Sequence, residues 1–540
     1  MTLRFNKVVS AEEALSEIRD GSVVAISGFN IATTPEFLIV KLWELYERTG
    51  HPKGLFILTD TLPAVPERGL DFLGRKIHES RDSDFIRGML LTYLGWAPWL
   101  QKLTVENAIE MYTWSIGTAS WWFREIACGR PGLVTRVGLG TFLDPRQDGC
   151  YLNDLARERK TCRNKLIEIN GEEYLLYEAP KPDAALIRAT TSDEIGNLSM
   201  EREGIFGTVL GISQAAKSNG GIVIAQVERL AKYGSIKPKE VHVPAPLVDF
   251  VVQSPPEYHW QTCSIHYDPR ISGEVIPPKL SDRSVLEMSD RKVIARRVAL
   301  ELVKLASEKG RPIFVNFGIG IPALVPAVIE EEGLSELLLT SIEAGPLGGI
   351  ALTEADFGVA IGPFAIIQMP DMFANYEGGV IDASSLGFMQ VDSDGNVNPS
   401  FIPGRITGPG GFPVIAAGSP RLYFAGGFTA GKRKISAVNG ALRIELDGEV
   451  IKFVKKVYKI AFNGAIARKE GREALYITER AVFRLSDGLV LEEIAPGVDL
   501  DKDVLSKMEF QPKVSSKLEE MDSRIFREGR MNLRDEIVKI

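Results

Sequence analysis

At 540 residues the chain is too long for a single hydrophobic core, which stops growing at about 250–300 residues, so at least two domains are expected. Its 45% hydrophobic and 25% charged residues are those of an ordinary globular protein, and a net charge of −8 excludes the basic footprint of a nucleic-acid binder. Any anionic ligand must be held by local basic side chains or backbone N–H groups. Four cysteines, Cys128, Cys150, Cys162 and Cys263, make no C-x-x-C pair, which argues against zinc and a disulfide framework and for reduced thiols in a cytoplasmic protein. The N-terminal stretch carries acids and lacks an apolar segment, unlike a signal or transit peptide, and no run approaches the roughly 18 apolar residues of a membrane helix. Neither a membrane, a metal nor a nucleic acid is expected as a partner.

In chain order, β-branched runs ending in glycine or turn residues alternate with helical patterns, the signature of α/β architecture with largely parallel sheets. Residues 22–26, 55–58, 184–187, 221–226 and 247–252 read as strands in the first half. In the second half the candidates are 312–316, 336–340, 358–361, 386–391 and 422–425. The halves echo each other. A helix over 11–18, a strand, Ser27-Gly28-Phe29 and Pro35 opening a helix recur as a helix over 299–309, a strand, Asn316-Phe317-Gly318-Ile319-Gly320 and Pro322. GLFILTDTLP (54–63) corresponds to SELLLTSIEAGP (335–346), and RATTSDEIGNLS (188–199) to MQVDSDGNVNPS (389–400). Three echoes in one order predict two similar open α/β domains from an internal duplication. Pro255-Pro256, Pro269 and Pro277-Pro278 give linker composition. The expected division is therefore 1–268, a linker over 269–290, and 291–540 with a charged, helix-prone tail from about 496.

Three segments invite chemistry. VNFGIGIP (315–322) runs from a strand through a glycine turn into a helix opened by Pro322. Gly318 and Gly320 let a ligand approach the backbone, where N–H groups receive an oxyanion or phosphate; a tight strand–helix turn without a ligand fits as well. TSIEAGPLGG (340–349) places Glu343 at the C-terminal end of an apolar strand, where ligands bind in open α/β sheets, although strand-end carboxylates are more often solvated or cap a helix. Taken together, the carboxylate accepts an acyl group and the glycine turn supplies donors for the oxyanion. Further glycine-rich loops, NYEGGVID (375–382), GRITGPGGF (404–412) and AGGFTAGKRK (425–434), expose backbone to an extended ligand. Lys432 and Arg433 would neutralise its phosphates, the plainer reading being a solvated basic loop.

These segments, with GHPKGL (50–55), ACGRPGLVTRVGLGTFLDPR (127–146), NGGIVIAQVERLAKYGSI (219–236), QVDSDGNVN (390–398) and GPGGF (408–412), make the chain resemble family I coenzyme A transferases over nearly its whole length. The match is to the single-chain, short-chain acyl-CoA:acetate or propionate (3-oxoacid) type. The resemblance implies an active site in the cleft between two CoA-transferase domains and a ping-pong exchange of CoA between an acyl-CoA and free short- or medium-chain carboxylic acids. Glu343 matches the family's nucleophile, which passes through a mixed anhydride to a glutamyl-CoA thioester. As a carboxylate it is expected to be ionised at neutral pH and to need no general base. No tightly bound cofactor is implied, coenzyme A being a substrate. Asn316, Gly318 and Gly320 match one family loop and Gly410, Gly411 and Phe412 another, both expected to offer backbone N–H groups to the thioester or pantetheine, with Lys432 in the CoA site. The first half is expected to shape the acid pocket through Gly28, Phe29, Ile116 and Gly117. A homo-oligomer, dimer or tetramer, is also implied.

Departures from the family lie in the first half. GFNIATTPE (28–36) stands for a loop resembling GFVGAGVPE, Ser115-Ile116-Gly117 for Pro-Gln-Gly, and Tyr93-Leu94-Gly95 for His-Trp-Gly. Tyr93, Trp96, Trp99, Trp114, Trp121 and Trp122 crowd this region, as a remodelled acyl pocket or as repacked core. The alternatives are an acyl-CoA hydrolase on the same scaffold, which admits water to the intermediate, and a silent CoA-ester-binding protein, motivated by Ile116 and the altered loop. A sugar-phosphate isomerase on a related fold finds no recognisable acid–base set here.

Overall fold

The computed structural model describes residues 6–278 and 286–537. They group into two compact units: Met1–Pro277, Ile342–Ala374 and Ile402–Val414 form the first, and Pro278–Ser341, Asn375–Phe401 and Ile415–Ile540 the second. This differs from the expected cut into 1–268 and 291–540, because two segments from the second half pack on the first unit. Met369 N–H donates to Gly207 O (3.1 Å), Gly410 N–H to Thr92 O (2.9 Å), and Arg124 pairs with Asp371. Of the expected linker, 279–285 lies outside the described residues.

The first unit's sheet contains β1 (Val23–Ile26), β2 (Leu55–Leu58), β3 (Ile86–Leu90), β4 (Glu110–Tyr112), β5 (Ala184–Asp193), β6 (Ile222–Ala231) and β7 (Phe250–Gln253), in the order β7-β6-β5-β1-β2-β3-β4. These neighbours all run parallel. A parallel sheet is covered on both faces, so β1, β2 and β5 are buried along their whole length and show no alternation. Val24, Ile26, Leu38, Leu42, Ile57 and Leu73 belong to the core beside it. Helix Glu36–Thr49 stops at Gly50, which takes the left-handed conformation (φ 72°) that a residue with Cβ avoids.

The second unit's sheet runs through β8 (Ile313–Phe317), β9 (Leu338–Ser341), β10 (Ala383–Gly387), β11 (Arg421–Ala425), β12 (Glu473–Ile477), β13 (Ala481–Ser486), β14 (Gly488–Ile494) and β15 (Lys513–Glu520), in the order β9-β8-β10-β11-β12-β13-β14-β15. Pairing is parallel from β9 to β12 and antiparallel across β12-β13-β14. Helix Asp290–Lys309 packs its apolar face, Val293 to Ala306, into the core; Ser289 caps its start and Gly310 its end.

Both sheets place their first strand between the second and a later one, so each has a point where strand order reverses: between β1 and β5, and between β8 and β10. Ligands of open α/β sheets bind beyond the carboxyl ends of strands at such a point. The glycine loops after β1 and β8 sit there.

Most expected strands lie within one to three residues of observed ones, but 386–391 divides into β10 and a separate Gln390–Val391 strand, and 358–361 shrinks to Ala360–Ile361. The tail is not simply helical. Its strand β15 pairs parallel with β14, and Met521, Ile525, Phe526, Met531 and Leu533 enter the core. Glu332 accepts from Met531 and Leu533 N–H, at 2.6 and 3.0 Å. Among the described residues no helix is long and apolar enough to cross a membrane.

A buried ion cluster locks β5 into the first unit. Arg188 donates twice to Glu203 (3.0 and 2.9 Å) and once to Ile31 O (3.2 Å), while His259 Nε2 lies 3.1 Å from Glu203. Burial opposes the Glu203 charge, but Arg188 and His259 overcome it and hold its carboxyl down at about 2. Arg188→Ala strands that carboxylate without its partner and is expected to destabilise the first unit by about 3–5 kcal/mol, read as an earlier thermal or denaturant transition.

Candidate active site

The chain leaves β9 at Ser341 and turns at once. Ile342 N–H donates to Pro346 O and Gly345 N–H to Ile342 O, both at 2.9 Å, so Glu343 stands on a braced loop. Gly345 has φ 127°, and a Cβ there would lie 2.1 Å from Ile367 O; Ile367 N–H in turn donates to Gly345 O at 3.0 Å. Only glycine fits this crossing. The Glu343 carboxylate rests on Gly411: a Cβ at Gly411 would come within 1.9 Å of Glu343 Oε2 and 3.0 Å of Phe373 Cζ. The space the carboxylate occupies exists because Gly411 has no side chain.

A frame from the first unit holds that glycine pair. Gly410 O accepts from Ile116 N–H and from Ser115 Oγ, both at 3.0 Å, and Gly410 N–H donates to Thr92 O. Ile116 opens helix Ile116–Ala127. Gly117 faces Phe373 and Val414, which a Cβ would meet at 2.5 and 2.8 Å. Tyr93 follows Thr92; burial raises its phenol, Arg405 lowers it and Glu343 raises it, so Tyr93 lies within the electrostatic reach of both. Ile116, Gly117, Gly410 and Gly411 are thus gathered around Glu343, and Phe412 begins the helix that follows.

Glu343 keeps some surface open to solvent, yet protein atoms crowd it enough that desolvation pushes its carboxyl up to about 7. Burial thus opposes the ready ionisation at neutral pH that was expected of an ordinary carboxylate.

The other expected residues sit elsewhere. Gly28 (φ 134°) and Phe29 lie in the loop after β1; Phe29 packs 6.1 Å from Phe357, and Asn30 Nδ2 donates to Ala355 and Phe357 O. In the second unit, the Asn316 amide donates to Tyr376 Oη (3.1 Å) and Ser341 O (3.3 Å), which ties β8 to β9. Gly318 N–H donates to Ser385 O, whereas Gly320 (φ 86°) faces open space. Lys432 is exposed, with its N–H on Glu449, and Arg433 pairs with Asp290. Lys452 is a buried cation near these strand ends, its Nζ 4.1 Å from the Phe388 ring centre. Burial, with Arg433 adding to it and Glu479 opposing, lowers Lys452 to about 7. Among the described residues no three His, Cys, Asp or Glu gather as a metal site would need.

The Coenzyme A transferase family model matches residues 8–254. Caffeate CoA-transferase of Acetobacterium woodii is 40% identical over 530 residues, covering 97% of this chain and 98% of that protein. Acetate CoA-transferase YdiF of Escherichia coli K12 is 37% identical over 530 residues, covering 97% and 96%. The chain belongs to the coenzyme A transferase family. The crystal structure of the acyl-CoA transferase YdiF apoenzyme from Escherichia coli O157:H7 aligns with this transferase at a TM-score of 0.88, with 35% identity and 98% of each chain covered. Its thioester complex with CoA aligns at 0.86 with 35% identity, covering 98% of this chain and 97% of that one.

Sequence reasoning missed several parts of the transferase's site. Thr92, Ser115 and Phe373 act through backbone carbonyls and ring contacts that no motif announces; Ser115 alone carried a signal, a serine just before a helix. The aromatic crowd divides. Trp114 and Trp122 are fully buried, their rings 5.9 Å apart, and Trp99 stacks near His78 and Lys102, so these are packing residues, while Tyr93 alone reaches toward Glu343.

Gly411→Ala is expected to keep the fold and displace the carboxylate, lowering exchange by about 10²-fold in steady-state assays. A pH–rate profile checks Glu343 as the candidate nucleophile: with its ionised form reacting, kcat/KM is expected to climb about tenfold per pH unit below about 7 and level off above it.

Proposed function

We propose that Glu343 is the residue on which this CoA transferase carries its thioester. A Glu343 oxygen attacks the acyl-CoA carbonyl carbon, the C–S bond breaks, and CoA leaves as thiolate from a mixed anhydride. The thiolate attacks the Glu343 carbonyl carbon, the C–O bond to the acyl group breaks, and the first acid departs as a carboxylate. A second carboxylate enters and the two steps run in reverse. Covalent catalysis keeps the thioester energy that hydrolysis would discard.

The observation that carries this reading is the Glu343 carboxylate seated in the gap left by Gly411 on a braced strand end, desolvated but still reachable. The thioester complex of YdiF with CoA, a relative 35% identical over nearly the full length, supports the same chemistry here. For the oxyanion, Gly318 and Gly410 N–H groups are already bonded, which leaves Gly411 N–H as the donor of that loop. Asn316 then serves to hold the two strands. Arg405, acting on Tyr93 together with Glu343, is the cation available to an incoming carboxylate. The acids are short- to medium-chain carboxylates; named relatives act on acetate and on the aromatic caffeate.

The test is intact-protein mass spectrometry after incubation with acyl-CoA esters and no acceptor, followed by peptide mapping. A CoA-sized adduct on the Glu343 peptide, released by added carboxylate and missing in Glu343→Gln, is expected. Exchange that persists in Glu343→Gln overturns the assignment, and free CoA accumulating without an adduct reassigns the chain to hydrolysis.

A further inference from the structure

The loop that carries the nucleophile is braced within itself, so its aim is set where it leaves the sheet. Ile342 is tied to Pro346, Gly345 to Ile342 and Ile367 to Gly345, which makes 342–346 a stiff unit rooted at Ser341. A small shift or tilt of that root reaches the Glu343 carboxyl undamped. What holds Ser341 is therefore what aims Glu343.

Three buried side chains meet at the root. Tyr376 Oη donates to Ser341 Oγ at 3.0 Å and accepts from Asn316 Nδ2 at 3.1 Å. Ser341 Oγ in turn donates to Val315 O at 3.1 Å, and the Asn316 amide also reaches Ser341 O at 3.3 Å. Asn316 and Ser341 face each other in the β8–β9 register, so the three close the last paired rung before the chain turns off toward Glu343. Tyr376 is fully buried, and Asn316 and Ser341 are 3% and 4% exposed. A buried phenol needs one partner, and any backbone carbonyl would serve. This one is used as donor and acceptor at once, and it comes from a helix rather than from either strand.

That helix, Met369–Glu377, also carries Phe373, one turn earlier on the same face. Phe373 Cζ would lie 3.0 Å from a Cβ on Gly411, the residue on which the Glu343 carboxylate rests. One helical turn thus presents a ring beside the carboxyl group and a hydroxyl at the root of its loop. We propose that Tyr376 is a positioning residue for CoA transfer, which acts through Ser341 to fix the direction in which Glu343 presents its attacking oxygen. Tyr376 takes no proton and no acyl group in this role.

Removing the hydroxyl separates this role from core packing. In Tyr376→Phe the ring still fills its place, the Ser341 hydroxyl keeps Val315 O, and the Asn316 amide keeps Ser341 O. No partner is left bare, so a packing role predicts almost no effect. A positioning role predicts slow chemistry in well-folded enzyme.

The inference rests on Glu343 carrying the thioester. The test follows the CoA adduct over time, by rapid quench and intact-protein mass spectrometry, in native, Tyr376→Phe and Ser341→Ala enzymes. The donor is whichever of acetyl-, propionyl- and butyryl-CoA loads the native enzyme fastest. The rate constant of adduct formation reports competent sites alone, and the amplitude reports how many there are. Loss of folded enzyme moves the amplitude and leaves the rate constant. At saturating donor the rate constant is expected to fall about tenfold or more in each variant, a displacement near 1 Å being worth about 10²-fold. The half-saturating donor concentration is expected to stay within about twofold of native. The double variant is expected to be no slower than the slower single one, because both changes remove the same bond. A rate constant within about twofold of native in Tyr376→Phe overturns the positioning role, as does a loss confined to amplitude. Losses that multiply in the double variant overturn it as well. No adduct on the native enzyme from any of the three donors overturns instead the Glu343 reading.

Discussion

The desolvation of one carboxyl group governs the rest of the site. A hydrated carboxylate is a poor nucleophile because its oxygens are occupied by water, and stripping that water raises both its basicity and its readiness to attack. The structure strips it by removing side chains from around it. Gly411 leaves the gap in which Oε2 sits, Gly345 lets the turn cross Ile367, and Gly117 lets Phe373 close in from the helix. A carboxyl pushed up to about 7 is the consequence, and on the proposed mechanism the same desolvation makes the ionised form more reactive. On the proposed mechanism the same exclusion of water would protect the anhydride and the thioester, both of which are readily hydrolysed.

Positioning of that carboxyl depends on residues far from it in sequence. Although Glu343 follows a strand of the second sheet, its loop packs with the first unit, and so do residues 402–414. Thr92, Ser115 and Ile116 hold Gly410 through its backbone, and Gly411 holds the carboxylate by shape. The backbone bonds at Thr92 and Ile116 tolerate side-chain change, whereas the Ser115 hydroxyl bond and the glycines do not. That asymmetry explains why the glycine-rich segments are recognisable in sequence and their supports are not.

The fold class was legible because unbroken β-branched runs and glycine punctuation report parallel strands directly, and Glu343 stood out because an apolar strand ends on a carboxylate followed by Ala-Gly-Pro. Legibility failed where structure is set by packing at a distance. Strands β3 and β4 lie among aromatic and charged residues that hide their pattern, and β15 is an exposed, charged strand whose identity comes from pairing with β14. Gly318 and Gly410 were expected to present free N–H groups, but a glycine-rich turn does not reveal whether its donors are already bonded, and both are. Lys432 drew notice as part of a basic run, while Lys452, which is buried, stands between Ile451 and Phe453 just before Lys455 and Lys456, and nothing in that pattern marks it as the buried one.

The departures from the family pattern now separate into two kinds. At Ile116 the contact that matters passes through the main chain, so an apolar side chain in place of an amide leaves the hold on Gly410 intact. This removes the reason to regard the site as silent. In the loop 28–36 the change is of another sort. Thr33 stands where the related pattern has glycine, and it keeps the left-handed backbone that glycine adopts without strain. The loop has thus preserved its path while gaining a hydroxyl at the reversal point of the first sheet.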